Sequence, residues 1–214
     1  LVPTGNAVQT LIRKQELQTL ALERLPHLDN IAPSFADPWY DPGLRHAVPY
    51  ATTVTLLGFN ATRLAELGLP TDSWALIFEP RHLQRIKGRV SVLNSQRELM
   101  AAALRYLGHP ANDTDPGHWM AARDLILRAK PYWATFSNST YIKDLAIGNI
   151  WVAHGYSNDM FRAREDARAA GRPFAIGFAI PKEGAVLAVD NFVIHKSSRR
   201  PDLAHRFIDF MLQG

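Results

Sequence analysis

Short apolar runs alternate along the chain with longer segments in which apolar residues recur at helical spacing. The apolar runs predict strands at residues 53–60, 89–93, 149–155, 173–180 and 185–194. The helical spacing predicts helices at residues 4–19, 61–67, 94–108, 115–130, 139–147, 157–171 and 198–212, and a short helix within residues 78–88. Prolines scattered through residues 20–47 predict an irregular segment. Strands that alternate with helices in this way predict an α/β fold with a largely parallel sheet.

Several predicted helices begin at residues that favour capping. Thr4 or Asn6 is predicted to cap the first helix, and Ser198 the last. The tetrapeptide 95–98, Ser-Gln-Arg-Glu, has the spacing of a capping box, in which serine and glutamate satisfy each other's backbone amides.

Composition limits the classes of function. The chain has 214 residues, of which 47% are hydrophobic, enough for one or two domains with packed cores. The net charge is +4 and the basic residues are scattered, so nucleic-acid binding is not predicted. No stretch of the sequence is apolar over the roughly 18 residues of a membrane span. The chain has no cysteine, which excludes disulfides, thiol catalysis and cysteine-ligated metals.

The sequence also lacks the motifs of common enzymes. It has no glycine-rich phosphate loop, no nucleophile elbow and no zinc-protease helix motif. The eight histidines show no paired spacing typical of metal ligands, so neither a metal site nor a cofactor is predicted. The protein is therefore expected not to be an enzyme.

Three carboxylates and one tyrosine occupy positions that suit either a structural or a binding role. Asp190 interrupts an apolar strand, where it would cap a turn, pair with an arginine or face a cationic ligand. Glu98 and Asp159 lie in the first turns of predicted helices, where they would stabilise the helix, and also beyond the ends of strands, where parallel sheets bind ligands. Tyr156 would be either a core aromatic or a face for an ammonium group. Spacing alone leaves both interpretations open.

Five segments, taken in order, resemble a known family. They are "HAVPYATTVTLLGFN", "SWALIFEPRHLQRIKGRVSVLNSQREL", "ALRYLGHPANDTDP", "LAIGNIWVAHGYSNDMFRARE" and "FAIPKEGAVLAVDNFVI". The order resembles that of the bacterial periplasmic polyamine-binding proteins, the putrescine and spermidine receptors of ABC importers. The resemblance extends over nearly the whole chain.

The resemblance implies the fold of a type II periplasmic binding protein. In that fold, crossing strands join two α/β lobes with mainly parallel sheets, and the ligand is held in the cleft between the lobes. Residues 1–52 and 186–214 would form an incomplete first lobe, and residues 53–185 the second lobe. The start at Leu1 without methionine, and the end just after a predicted helix, lead us to expect a piece of a longer protein.

The resemblance also implies roles for individual residues. Asp190 matches an aspartate that binds an amino group, and Asp159 matches an aspartate of putrescine-type receptors. Tyr156 takes the place of a tryptophan that stacks on the methylene chain, and Glu98 matches the acid near the far amine. Polar positions of the family's binding site are matched by Ser95, Asn138 and Thr4.

Three departures from the family pattern leave the ligand open. Ala188 stands where the family has an aromatic wall, Asn6 stands where a spermidine-type receptor has tyrosine, and Tyr156 replaces tryptophan. Fewer aromatic faces predict weaker contact with a polymethylene chain, or a different and bulkier amine, whereas the retained acids predict a cationic ligand.

The expected function is that of a periplasmic receptor that delivers a di- or polyamine to an ABC permease. The alternatives are a receptor for another small cationic amino compound, a sensor that carries the same fold, and an enzyme on an α/β scaffold.

Overall fold

The structure is a computed structural model that describes residues 1–213, and packing divides the chain into two compact units. Unit 1 consists of Leu1–Thr53 and Ala188–Gly214, and unit 2 consists of Val54–Leu187. The chain therefore passes from unit 1 to unit 2 and back once, and each unit is described by itself.

Helices and strands alternate along most of the described chain. The helices are α1 (Gly5–Arg13), α2 (Ala61–Glu66), α3 (Ala75–Phe78), α4 (Pro80–Leu83), α5 (Gln96–Tyr106), α6 (Pro116–Ala129), α7 (Thr140–Ala146), α8 (Ser157–Ala169) and α9 (Pro201–Met211). The strands are β1 (Ala47–Asn60), β2 (Val90–Val92), β3 (Thr135–Phe136), β4 (Val152–Tyr156), β5 (Ile176–Ala179) and β6 (Leu187–Val193). Within residues 1–213, no helix has both the length and the apolar character that crossing a bilayer requires.

The sheet of unit 2 confirms the predicted α/β class. Its strand order is β3-β2-β4-β1-β5. Strand β2 pairs in parallel with β3 and β4, whereas β1 runs antiparallel to β4 and β5. The parallel strands β2, β3 and β4 are followed by helices α5, α7 and α8, respectively. Three strand-to-helix junctions therefore meet at one edge of the sheet.

Helices cover both faces of this sheet. On β4, Val152 belongs to a core cluster with Trp74 and Leu104, whereas Ala153 belongs to a second cluster with Tyr141. Neighbouring strand residues point to opposite faces, so the two clusters are the cores on the two sides of the sheet. Unit 2 is therefore a layered α/β structure.

Unit 1 is built around β6, which pairs with β1. Phe192 packs in a cluster with Ile208 of α9, and Val193 packs in another with Val8 of α1. The alternation again gives apolar contacts on both sides of the strand.

Helix α1 ends at Arg13, so the predicted helix over residues 4–19 was too long. Gln15 has a φ of 54°, and the N–H of Glu16 donates to the carbonyl of Leu11 at 3.0 Å. The N–H of Gln15 donates to Ile12 at 2.9 Å, which completes a Schellman turn. Because this turn forms without glycine, the sequence carries no stop signal there.

The short helix predicted within residues 78–88 is confirmed as α4, Pro80–Leu83. Glu79 precedes Pro80 and adopts an extended conformation with a ψ of 120°, which separates α4 from α3. The last helix begins at Pro201 with Arg200 before it, so Ser198 does not cap it as predicted.

One histidine lies entirely inside unit 2. His154 on β4 is fully buried, and its ring contacts Trp74 edge-on with 5.4 Å between ring centroids. The N–H of Leu93 donates to His154 Nδ1 at 3.4 Å, while Nε2 has no partner among the described residues. Burial lowers the pKa of His154 to about 3, so the ring is neutral near pH 7.

Candidate functional site

The carboxyl edge of the parallel strands collects five of the seven predicted site residues. Ser95 and Glu98 follow β2, Asn138 follows β3, and Tyr156 and Asp159 lie at the end of β4 and in the first turn of α8. Because β2 lies between β3 and β4, these residues are on neighbouring strand ends rather than scattered along the sheet.

Only half of the predicted capping box forms at the start of α5. Ser95 Oγ accepts a hydrogen bond from the backbone N–H of Glu98 at 3.4 Å, as predicted for the cap. The carboxylate of Glu98 does not fold back onto the cap. It accepts a hydrogen bond from Thr55 Oγ1 at 2.6 Å, across the sheet edge.

Thr55 also places Glu98 next to the end of β4. In the antiparallel register of β1 and β4, Thr55 lies opposite Tyr156. A side chain that bonds to Thr55 therefore lies close to Tyr156, although Glu98 and Tyr156 are far apart in the sequence.

A buried tyrosine positions Asp159. Tyr141 of α7 is fully buried, and its hydroxyl donates a short hydrogen bond to Asp159 Oδ2. The same hydroxyl accepts the backbone N–H of Tyr156 at 3.2 Å. Burial and the hydrogen bond to Asp159 both raise the pKa of Tyr141, so the hydroxyl keeps its proton and acts as donor.

Gly155 makes room for this arrangement. A Cβ at Gly155 would lie 2.5 Å from Tyr141 Cε2 and 2.4 Å from Met160 Cε, closer than such atoms approach. Only glycine therefore allows the Tyr141 ring to lie against β4 at this point.

Two carboxylates at this edge affect the pKa of Tyr156. The pKa of Tyr156 is raised, first by burial and then by the negative charges of Glu98 and Asp159. Tyr156 is half-buried, and hydrogen bonds through Thr55 and Tyr141 hold both acids next to it. Paired carboxylates beside an aromatic ring are suited to hold an organic cation through charge and cation–π contacts.

We expect Tyr141→Phe to destabilise unit 2 by about 1–3 kcal/mol, because it leaves both Asp159 Oδ2 and the N–H of Tyr156 without their partner. Urea denaturation followed by circular dichroism measures the loss. Tyr132→Phe is the matched control, since the Tyr132 hydroxyl makes no hydrogen bond among residues 1–213. Equal stability of the two variants would show that the buried hydroxyl does not hold Asp159.

Asn138 is less firmly placed. It is exposed, and its Nδ2 donates to the backbone carbonyl of Asn94 at 3.3 Å. This contact joins the loop after β3 to the loop after β2 and leaves the side-chain oxygen of Asn138 available.

The other two predicted site residues, Thr4 and Asp190, lie beside each other in unit 1. Their backbones form an isolated antiparallel bridge, and the N–H of Asn191 donates to Pro3 at 2.9 Å. Asp190 is half-buried, and its carboxylate makes no hydrogen bond or ion pair within residues 1–213. Within residues 1–213, Asp190 therefore does not pair with an arginine, which was one of the structural roles that the sequence left open.

Unit 1 also contains a cavity of about 600 Å³, lined by residues that include Phe35, Tyr50 and Met211. Among the lining residues that the structure describes, none has a charged side chain. It offers apolar and amide contacts but no charge to oppose a cation, so the carboxylates give the stronger indication of a site.

Thr55 and Tyr141 contact predicted site residues, although nothing in the sequence marks either of them as part of a site. Thr55 is a threonine within a strand and Tyr141 reads as a core aromatic. Each contact depends on pairing between distant segments, which no local spacing reveals.

Comparison with known proteins gives a family and several relatives. The family model of bacterial extracellular solute-binding proteins matches residues 1–214. A "Putrescine/cadaverine-binding protein" of Pseudomonas aeruginosa is 58% identical over 214 residues, and the match covers 100% of this chain and 60% of that protein. A "Putrescine-binding periplasmic protein" of Escherichia coli is 33% identical, with the same coverage of 100% and 60%.

The solved structures agree with this family. The Tp0655 (TpPotD) lipoprotein of Treponema pallidum superposes with a TM-score of 0.87 at 30% identity, over 99% of this chain and 62% of that one. The fold is thus that of the periplasmic binding proteins, as the family resemblance implied. The chain spans about 60% of the length of the curated relatives it matches.

Proposed function

We propose that this chain, which belongs to the bacterial extracellular solute-binding proteins, is part of a receptor for a short diamine of the putrescine or cadaverine kind. The observation that carries the proposal is that Glu98 and Asp159 are both held next to Tyr156. Glu98 bonds to Thr55, which lies opposite Tyr156, and Asp159 bonds to the Tyr141 hydroxyl, which also accepts the Tyr156 N–H. A diamine has ammonium groups for the carboxylates and a methylene chain for the ring. The 58% identical relative is named for these two diamines.

Each predicted site residue has a role in this proposal. Glu98 and Asp159 supply negative charge in unit 2, Tyr156 supplies an aromatic face, and Asp190 supplies an acid in unit 1. Hydrogen bonds to the ligand or to its bound water come from Ser95, Asn138 and Thr4. We also propose the division into an incomplete first lobe, residues 1–52 and 186–214, and a second lobe, residues 53–185.

The setting is proposed on the same grounds. A receptor of this family would work in the periplasm and deliver its ligand to the permease of an ABC importer. A ligand drives such a receptor toward one conformation only if it binds that conformation better than the others. The role is binding and release rather than catalysis.

Ala188 and Tyr156 favour a second candidate, a receptor for another small cationic amino compound. Ala188 is half-buried in β6, and its methyl group offers little apolar area compared with an aromatic side chain. A ligand with a bulkier end than a linear diamine would gain contacts that putrescine cannot make.

Calorimetric titration of the full-length protein with putrescine, cadaverine, spermidine, agmatine and arginine tests both candidates. We expect putrescine and cadaverine to bind, and the neutral 1,4-butanediol to bind at least roughly 100-fold more weakly, because it leaves the carboxylates unpaired. Tight binding of agmatine or arginine alone would favour the second candidate. Equal binding of putrescine and the diol would refute a cation site.

A further inference from the structure

A second group of polar side chains lies in the loop between α5 and α6. His109 and Asp113 come from the loop itself, and His118 comes from the first turn of α6. One nitrogen or carboxylate oxygen from each residue lies within 4.8 Å of the others, and all three residues are partly buried. None of them belongs to the proposed amine site.

The loop holds this group in place through backbone hydrogen bonds. Asp113 Oδ1 accepts the N–H of Asp115 at 2.8 Å, while Oδ2 faces His118 Nδ1 at 3.0 Å. Asp115 caps α6 by accepting the N–H groups of Gly117 and His118, which fixes the backbone of His118. Such supporting bonds orient ligand side chains in known metal sites.

The hydrogen bond between Asp113 and His118 does not explain why the His109 side chain lies beside them. The two imidazole rings are stacked, with 3.6 Å between centroids and 15° between planes. The ring nitrogens of His109 make no hydrogen bond within residues 1–213.

We propose that His109, Asp113 and His118 form a binding site for a divalent transition-metal ion, with zinc as the best fit. Two imidazoles and one carboxylate are donors that zinc accepts, at about 2.0–2.2 Å from the ion. Tetrahedral geometry then places the donor atoms roughly 3.4 Å apart. The donor atoms now lie within 4.8 Å of one another, with 3.0 Å between Asp113 and His118. Because an ion bound by imidazole lies in the plane of the ring, binding requires one of the two stacked rings to turn out of the stack.

The donor set also predicts which ions bind poorly. Calcium takes six to eight oxygen ligands, and magnesium favours oxygen and keeps several waters. Two of the three donors here are nitrogens, so neither ion should compete with zinc. These three residues are spaced across a loop, outside the familiar pairings along a helix or a strand, so the sequence does not predict a metal site there.

Titration of the metal-free, full-length protein with zinc chloride in the presence of a chromogenic chelator tests the proposal. We expect one zinc ion to bind per protein molecule. The affinity for zinc should fall about tenfold or more in His109→Ala, Asp113→Asn and His118→Ala. His82→Ala is the matched control, since His82 is also partly buried in unit 2 and lies outside the group. Millimolar calcium or magnesium should not displace the zinc.

Binding of cobalt(II) gives a second measurement, which would not change if His109 had only a structural role. Its visible absorption should show coordination by nitrogen in the wild-type protein and lose that signal in His109→Ala. That variant removes no hydrogen bond among residues 1–213, so it should keep its fold, which circular dichroism checks. The proposal is overturned if zinc does not bind, or if the three variants bind it as well as the His82 control.

Discussion

Asp190→Asn is expected to weaken diamine binding about 10- to 150-fold in the full-length protein. The carboxylate is half-buried and makes no hydrogen bond or ion pair within residues 1–213, so its charge is free to act on a ligand. Hydrogen bonds to charged groups contribute about 1.5–3 kcal/mol, which corresponds to that range of affinity. Asparagine keeps the shape of the side chain, and calorimetric titration with putrescine measures the change.

The matched control is Asp202→Asn, which removes the same charge from an exposed position of unit 1. It should leave the affinity within about twofold, because an exposed charge outside the site is screened by solvent and salt. If the two variants bind putrescine alike, Asp190 does not contact the ammonium group. Loss of binding in both would point to a general effect of net charge.

Acidification is expected to destabilise the protein through His154, by about 2 kcal/mol between pH 7.5 and pH 5. The pKa of His154 is lowered to about 3 in the folded chain, against about 6.5 for an unperturbed histidine. Above pH 6.5 the ring is neutral in both states and its contribution is complete. As the pH falls from 6.5 toward 3, only the unfolded chain gains the proton, so the free energy of unfolding decreases.

His154→Asn separates this effect from that of the carboxylates. The asparagine oxygen is placed to accept the N–H of Leu93, as Nδ1 does in the wild type, but it does not titrate. Urea denaturation at pH 7.5 and pH 5 should show a smaller loss of stability in the variant, by about 2 kcal/mol. An identical loss in wild type and variant would mean that His154 is not held neutral in the folded state.

The sequence predicted those parts of the fold and the site that depend on neighbouring residues. The cap at Ser95 follows from a serine placed before a helix and was confirmed. The end of α1 was predicted wrongly, because Gln15 makes a left-handed turn that usually requires glycine. Strand β3 was not predicted at all, since its two residues are too short a run to show alternation.

The location of the candidate site could be predicted from the sequence, but the contacts within it could not. The rule that ligands bind beyond the carboxyl ends of parallel strands predicted that the junctions at 94–98 and 155–159 lie near a site. The direction of the Glu98 side chain could not be predicted, because it depends on Thr55 and on the register between two strands. Whether the acids bind an amine stays a prediction until ligand is titrated.

The bond between Tyr141 and Asp159 has a consequence for selectivity. Because the buried hydroxyl fixes Asp159 before any ligand arrives, binding loses little side-chain entropy at that carboxylate. Glu98 is held in a comparable way by Thr55. If the proposed diamine binds here, two carboxylates held in place by the protein cannot move to suit an amine of a different length. We then expect affinity to depend on the number of methylene groups between the two ammonium groups of the ligand.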